Sequence, residues 1–372
     1  MRVSLLRKFS LSTLIATAAL ASLSLPSFAG VSLGDGQTTG KVPVRSAGPL
    51  AFSPDGVLFL GDSLSGALFA VDSSADAGSP GAISLDGVDR KVAALLGTTP
   101  EGIRIVDLAV HPKSGRAYLS VARGSGPEAQ AAVVTVDKAG TVDLFSLDEV
   151  AYSKLELPNP VSETAEDRRG RPLRMQAITD IAYAGGKVLV AGLSNEEFSS
   201  RMHTLDFPFT QAKSGVGIEV YHGAHGKWET HAPVRTLTTY DIGGAAHVLA
   251  AYTCTPLVTF PVTDLVDGAE VRGTTVAELG NRNRPLDMIV YSDGGQDYAL
   301  MANSSRGVMK VDLSSIESQE GLTSRVADRA GLKYETIAEL QDVTQLDRLD
   351  GDHSLLLIES DTGAKLQTVA LP

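Results

Sequence analysis

Cysteine is almost missing from this chain. Cys254 is the only one, so no disulfide can form within the chain and its stability must come from a buried core. Tryptophan is as scarce, with Trp228 alone, and aromatic residues make up only 5%. Basic residues are the minority charge, 32 against 44 acidic ones, for a formal net charge of −12. Such a chain is repelled by nucleic acid and by anionic lipid, so neither is an expected partner. Long apolar runs are missing as well. The one continuous stretch, Leu11–Leu25, falls short of the roughly 20 residues that cross a bilayer, and no membrane insertion is expected. G-x-S-x-G, P-loop, C-x-x-C-H and H-E-x-x-H patterns are all lacking.

What the chain has begins with an address. Arg2, Arg7 and Lys8 precede the apolar run, and Pro26-Ser27-Phe28-Ala29 follows it. A basic start, a short apolar core and a small-x-small end make a secretory signal peptide with cleavage after Ala29. The expected mature protein, residues 30–372, is periplasmic or secreted. Losing three cations takes its formal charge from −12 to −15.

The stretch AFSPDGVLFLGDSLSGALFAVD (Ala51–Asp72) reads as three short strands separated by Pro54-Asp55-Gly56 and Ser63–Gly66 turns. Similar units start at Asp107, Asp180, Thr236, Asp287 and Asp342. Further short strands lie between copies at Thr141–Leu147, Lys227–Val234, Thr274–Leu279 and Tyr334–Leu340. Four strands per unit, repeated at roughly 50–70 residues, specify an all-β fold, a six-bladed β-propeller; seven blades is the alternative. The last copy supplies only three strands. Lys41–Ser46 (KVPVRS) is expected to complete it and so close the ring.

In a propeller, inner-strand starts and the second-to-third-strand connections share one face. That face is expected to carry two insertions, Leu157–Arg174 and Phe198–Gly215, and long loops in a compact fold are commonly functional. The working site is expected there, in a single domain.

The units GPLAFSPDGVLFLGDSLSGALFAVD and RPLDMIVYSDGGQDYALMANSSRGVMKVD resemble the six-bladed propellers of the NHL and gluconolactonase (calcium-dependent phosphotriesterase) superfamily. No Trp-Asp dipeptide marks a WD-type propeller, and one tryptophan argues against the tryptophan-rich propellers that dock pyrroloquinoline quinone. The resemblance implies a calcium site built from a glutamate opening blade one with amides and an aspartate from other blades. Here the first position reads Ala47-Gly48-Pro49, without that glutamate. Asp180, Asn195, Asp287 and Asn303 are the remaining candidates to ligate the ion, though aspartates at repeated turns equally suit backbone capping.

Other side chains on this face can carry chemistry. Glu196, beside Glu197, is a candidate acid or base or ligand contact, and Arg284 with Arg306 could hold an anion bidentately. Cys254 is a free thiol at the end of a second strand, a contact residue or a copper ligand. EVYHGAHGKWETH brings His222, His225 and His231 together as candidate zinc or copper ligands, at a hairpin expected on the opposite face and outer rim. The sequence thus leads to an exported propeller that binds a small molecule or another exported protein through its insertion-rich face, without catalysis. Two other readings stay open, a metal-dependent lactonase or phosphotriesterase-like hydrolase and a copper-linked redox accessory protein.

Overall fold

Short apolar runs between Gly-, Asp- and Pro-rich turns fold here as antiparallel hairpins. In the computed structural model, which describes residues 31–372 apart from Thr255, the hairpins form six sheets, the blades of a β-propeller. The expected signal peptide, 1–29, lies outside the described residues. Inner strands define the blades in chain order: Leu50–Phe52 (I), Ile103–Val110 (II), Asp180–Ala184 (III), Val234–Ile242 (IV), Pro285–Asp293 (V) and Val343–Arg348 (VI). The next two strands of blade I, Val57–Asp62 and Ala67–Asp72, are buried almost throughout. Each of their faces packs on a different neighbouring blade, which is why they read as continuous apolar runs.

The core lies between blades, in six apolar clusters that reveal the order of the ring. Phe59 of blade I packs with Val190 of III, and Ile218 of III with Val248 of IV. Leu249 of IV meets Met301 of V, and Leu300 of V meets Leu356 of VI. Leu355 of VI packs with Leu119 of II, and Tyr118 of II with Phe69 of I. The ring therefore runs I–III–IV–V–VI–II and back to I, which is not the order of the chain.

This ring corrects the expected closure. An early strand does complete blade VI, but it is Ser84–Asp86, whose Leu85 pairs with Leu366. The chain leaves blade I after three strands, adds that strand to blade VI, turns through the helix Val88–Leu95 and builds blade II. Val150–Glu156 then returns as the fourth strand of blade I, with Thr38–Gly40 on its outer edge. Strands distant in sequence thus cover edges at two seams that would otherwise be templates for aggregation. Lys41–Ser46 is held elsewhere. Val42 N–H donates to the Leu147 carbonyl at 2.7 Å. The buried Asp62 carboxylate accepts from the backbone of Arg45 at 2.8 Å and Ser46 at 3.0 Å, and from Ser46 Oγ at 2.6 Å. A segment tied to blade I by these bonds cannot also pair with blade VI.

The seam gives a first prediction. Leu85→Ala removes apolar contact from the cluster between blades VI and II and should cost about 2 kcal/mol, seen as a fall of about 3 °C in Tm for a chain of this size. If Leu85→Ala melts like wild type, the seam at Ser84–Asp86 does not hold the ring.

Blade III holds a second correction. Phe198–Gly215, expected to be a loop, contains the blade's third strand, Ser200–Asp206, paired along its whole length with Lys187–Leu193. Val216–His222 is consequently the fourth strand, and Lys227–Glu229 pairs beyond it. Arg201, His203 and Thr204 interrupt the apolar residues and hid the strand. Leu157–Arg174 precedes the inner strand of blade III. Arg174, although buried, donates to the carbonyls of Val161 at 2.6 Å and Leu64 at 3.0 Å, which fastens the insertion to blade I.

Candidate axial site

Four inner strands place an aspartate on the ring axis, and each reaches across to the next blade. Asp107 accepts from Leu50 N–H at 2.6 Å, and Asp180 from Leu237 N–H at 2.6 Å. Asp287 accepts from Leu346 N–H at 2.8 Å, and Asp347 from Val110 N–H at 2.7 Å. Asp180, Asp287 and Asp347 also accept a backbone N–H from the residue that follows them. These carboxylates are inter-blade staples, the capping role that the repeat allowed. The expected blade VI member, Asp342, is instead an exposed turn residue at φ 58°. Asp347 takes its place.

Burial sets the chemistry of the ring. Desolvation holds the Asp180 carboxyl at about 7 and that of Asp347 at about 6. Asp107 is pushed well above the usual carboxylate range by burial and then by the charge of Asp180. Asp287 follows for the same reason, with Asp107 and Asp180 both opposing its ionisation.

On the side where the inner strands begin, Asp107, Asp180 and Asp287 floor a cavity of about 400 Å³. Arg104, Arg171, Arg235 and Arg284 line its walls. Arg171, from the 157–174 insertion, is paired with Asp167 at 2.5 Å. Arg235 donates from Nε to Thr253 Oγ1 at 3.0 Å. Burial, then the neighbouring Arg284 and Arg171, depresses its guanidinium to about 10. Arg104 and Arg284 make no side-chain hydrogen bond or ion pair among the described residues. A backbone irregularity places Arg235: the inner strand of blade IV breaks register between Val234 and Thr236, leaving Arg235 unpaired. Such bulges redirect one side chain toward a site. Beyond the aspartates, a second axial cavity of about 500 Å³ is lined mainly by apolar inner-strand residues such as Leu108, Ile181 and Met288.

The structure separates the candidates read from sequence. Asp180 and Asp287 share the axial cavity, whereas Asn195 and Asn303 do not line it. Asn195 is exposed in the loop after Leu193, and Asn303 is buried at the end of its strand, donating to Asn283 Oδ1 at 3.1 Å. The four expected calcium ligands therefore do not converge. Arg284 reaches the cavity, but Arg306 bonds the Asn281 carbonyl at 3.1 Å and lies 3.9 Å from Asp328. The two arginines do not form one anion clamp. Glu196 accepts from Asn159 at 2.6 Å and faces Arg201 at 3.9 Å, away from the axis. Cys254 sits in a turn at φ 66°, with its N–H bonded to the Asn283 carbonyl.

The histidine hairpin is also relocated. It was expected on the far face, but His225 and His231 share a surface cavity with Arg168 of the insertion, so the hairpin lies on the insertion-bearing side. Recognising Ser200–Asp206 as a strand reverses the direction of the strand that ends in His222. Of the wall arginines only Arg284 stood among the sequence candidates, although Arg104-Ile-Val-Asp107 and Arg284-Pro-Leu-Asp287 share an Arg-x-x-Asp pattern that pairs a wall residue with a floor residue.

Fold and site together define a six-bladed β-propeller with an arginine-walled axial mouth. No family model matches the chain, and no curated protein does. Among solved structures it is similar to a chain of the mitotic checkpoint complex, at 8% identity over 99% of both chains with a TM-score of 0.38. It is also similar to the PQQ-bound form of an aldose sugar dehydrogenase from Streptomyces coelicolor, at 12% identity over 90% of this chain and 98% of that one, TM-score 0.35. The extracellular region of plexin A4 matches at 10% identity over 90% of this chain and 40% of that one, TM-score 0.43. These are likenesses of fold.

Proposed function

We propose that this chain is an exported propeller that binds a small anionic ligand, bearing carboxylate or phosphate groups, in the axial mouth and does not turn it over. One observation supports this reading above the others: four guanidinium groups wall one cavity, and two of them have no protein partner among the described residues. Guanidinium forks match carboxylate and phosphate oxygens in geometry and charge. The cavity, at about 400 Å³, falls in the usual range for small-molecule sites. The floor carboxyls are held toward their neutral form, which lowers their repulsion of an anion. A lactonase-type reading loses support because Asn195 and Asn303 stand off the axis, and the floor aspartates are engaged with backbone N–H groups.

A ligand panel tests the proposal. Citrate, phosphate and a sugar phosphate should each raise Tm, and the effect should shrink between 50 and 300 mM salt, because added salt screens exposed charge. Glucose should leave Tm unchanged. A response to neutral ligands alone, or chelator-sensitive lactone hydrolysis, would overturn it.

A further inference from the structure

A second constellation lies at the outer edge of blade III, outside the axial mouth. Val216–His222 and Lys227–Glu229 form a hairpin in which Val220 pairs with Glu229 and His222 with Lys227. The intervening Gly223–Gly226 turn brings His225 back over the ladder. His222 Nδ1 stands 3.1 Å from Glu229 Oε2, and His225 Nδ1 2.8 Å from Glu229 Oε1. The two imidazole rings are 3.9 Å apart at their centroids. Lys227 Nζ approaches the same carboxylate at 3.5 Å. We propose that His222, His225 and Glu229 bind one divalent transition ion of the zinc class, with an open coordination position facing the surface cavity beside His231.

Geometry and chemistry carry this together. With metal–ligand bonds of about 2.0–2.1 Å, donors of a tetrahedral zinc site lie roughly 3.3 Å apart. One donor atom from each of the three residues already lies within 4.8 Å of the others, and each imidazole meets a different oxygen of the same carboxylate. Two imidazoles and one carboxylate suit zinc or its transition-metal neighbours better than calcium or magnesium, which prefer oxygen alone.

An independent observation concerns the surroundings. His222 is 4% exposed and Glu278 1% exposed, yet His222 Nε2 and Glu278 Oε2 have no hydrogen-bond partner among the described residues. Glu278 accepts a hydrogen bond from the N–H of Gly223, the residue that follows His222. A metal on Nδ1 fixes the His222 proton on Nε2, the nitrogen on the side left unpartnered, and a nearby carboxylate is the usual acceptor for such a proton. The open position faces a cavity of about 490 Å³ lined also by Arg168, Lys227 and Arg325.

The test uses the full chain purified without a histidine tag, stripped with chelator and titrated with Zn²⁺ at pH 7.5. One ion per chain should bind with a Kd in the micromolar range or tighter. Zinc at 100 times Kd should raise Tm by about 4 °C. His225→Ala, at a half-exposed position, should leave the fold intact and weaken binding at least 50-fold, and Glu229→Gln should do the same. Co²⁺ in place of zinc should give the visible absorption of a four- or five-coordinate site, lost in both variants. A Kd weaker than about 100 μM, or His225→Ala binding zinc like wild type, would overturn the assignment.

Discussion

Lowering the pH from 8 to 6.5 should make this protein more stable, by about 3 kcal/mol and about 4 °C in Tm. The cause is the aspartate ring. In the unfolded chain these carboxyls ionise near 3.8, whereas in the folded protein Asp180 sits at about 7 and Asp347 at about 6, with Asp107 and Asp287 well raised. Between pH 6.5 and 8 the folded state therefore holds protons that the unfolded state lacks. Stability must then fall as pH rises through that window, because a buried acid with a raised pKa is most favourable when neutral. All four side chains are half-buried and face the open channel, so solvent screens part of the effect.

Histidine sets the lower end of the window. His203, buried in the third strand of blade III, is depressed to about 4 by desolvation, so unfolding takes up a proton there once pH drops below its ordinary value of about 6.5. The gain from the aspartates is opposed from that point, and the curve should flatten. Denaturant melts at pH 8, 7.25 and 6.5 check the prediction. Asp287→Asn removes one titrating group and should lower the slope toward one proton fewer. A wild-type stability that is flat or falling from pH 8 to 6.5 would mean that the ring stays ionised.

The blades were legible because their second and third strands are apolar runs closed by turns, as in Val57–Asp62 and Ala67–Asp72. The ring order was not, because it rests on two weak strands. Ser84–Asp86 offers a single apolar residue, and Val150–Glu156 mixes Tyr152, Ser153 and Lys154 with its apolar positions. Nothing local says which blade edge such a strand will cover; that is decided by the cluster in which Leu85 and Leu155 are buried. The floor of the site was half legible. Asp180 and Asp287 stand at the expected inner-strand register, but the stretch from Asp342 to Asp347 offers two aspartates, and only tertiary packing selects the second. The walls come from blades II, IV and V and from an insertion, so four arginines scattered over 181 residues, Arg104 to Arg284, carry no local signature beyond Arg-x-x-Asp.

Arg235→Gln should weaken the binding of an anion about 100-fold while making the unliganded protein slightly more stable. Both effects follow from one arrangement. Arg235 is desolvated and faces the charges of Arg284 and Arg171, with Thr253 its only side-chain hydrogen-bond partner among the described residues. That is a cost in the empty protein, and an anion seated among the guanidiniums relieves it. A purely structural arginine would behave in the opposite way, since removing it would lower stability and leave ligand affinity unchanged. Anion binding should also draw in protons, because a negative charge above Asp107, Asp180 and Asp287 raises their pKa further. Affinity for citrate or phosphate should therefore increase from pH 8 to pH 6.5 beyond what the ligand's own ionisation allows, and calorimetry in buffers of different ionisation enthalpy should register proton uptake. If Arg235→Gln binds citrate and phosphate as tightly as wild type, or melts several degrees lower without ligand, the arginine wall is holding the blades together rather than awaiting an anion.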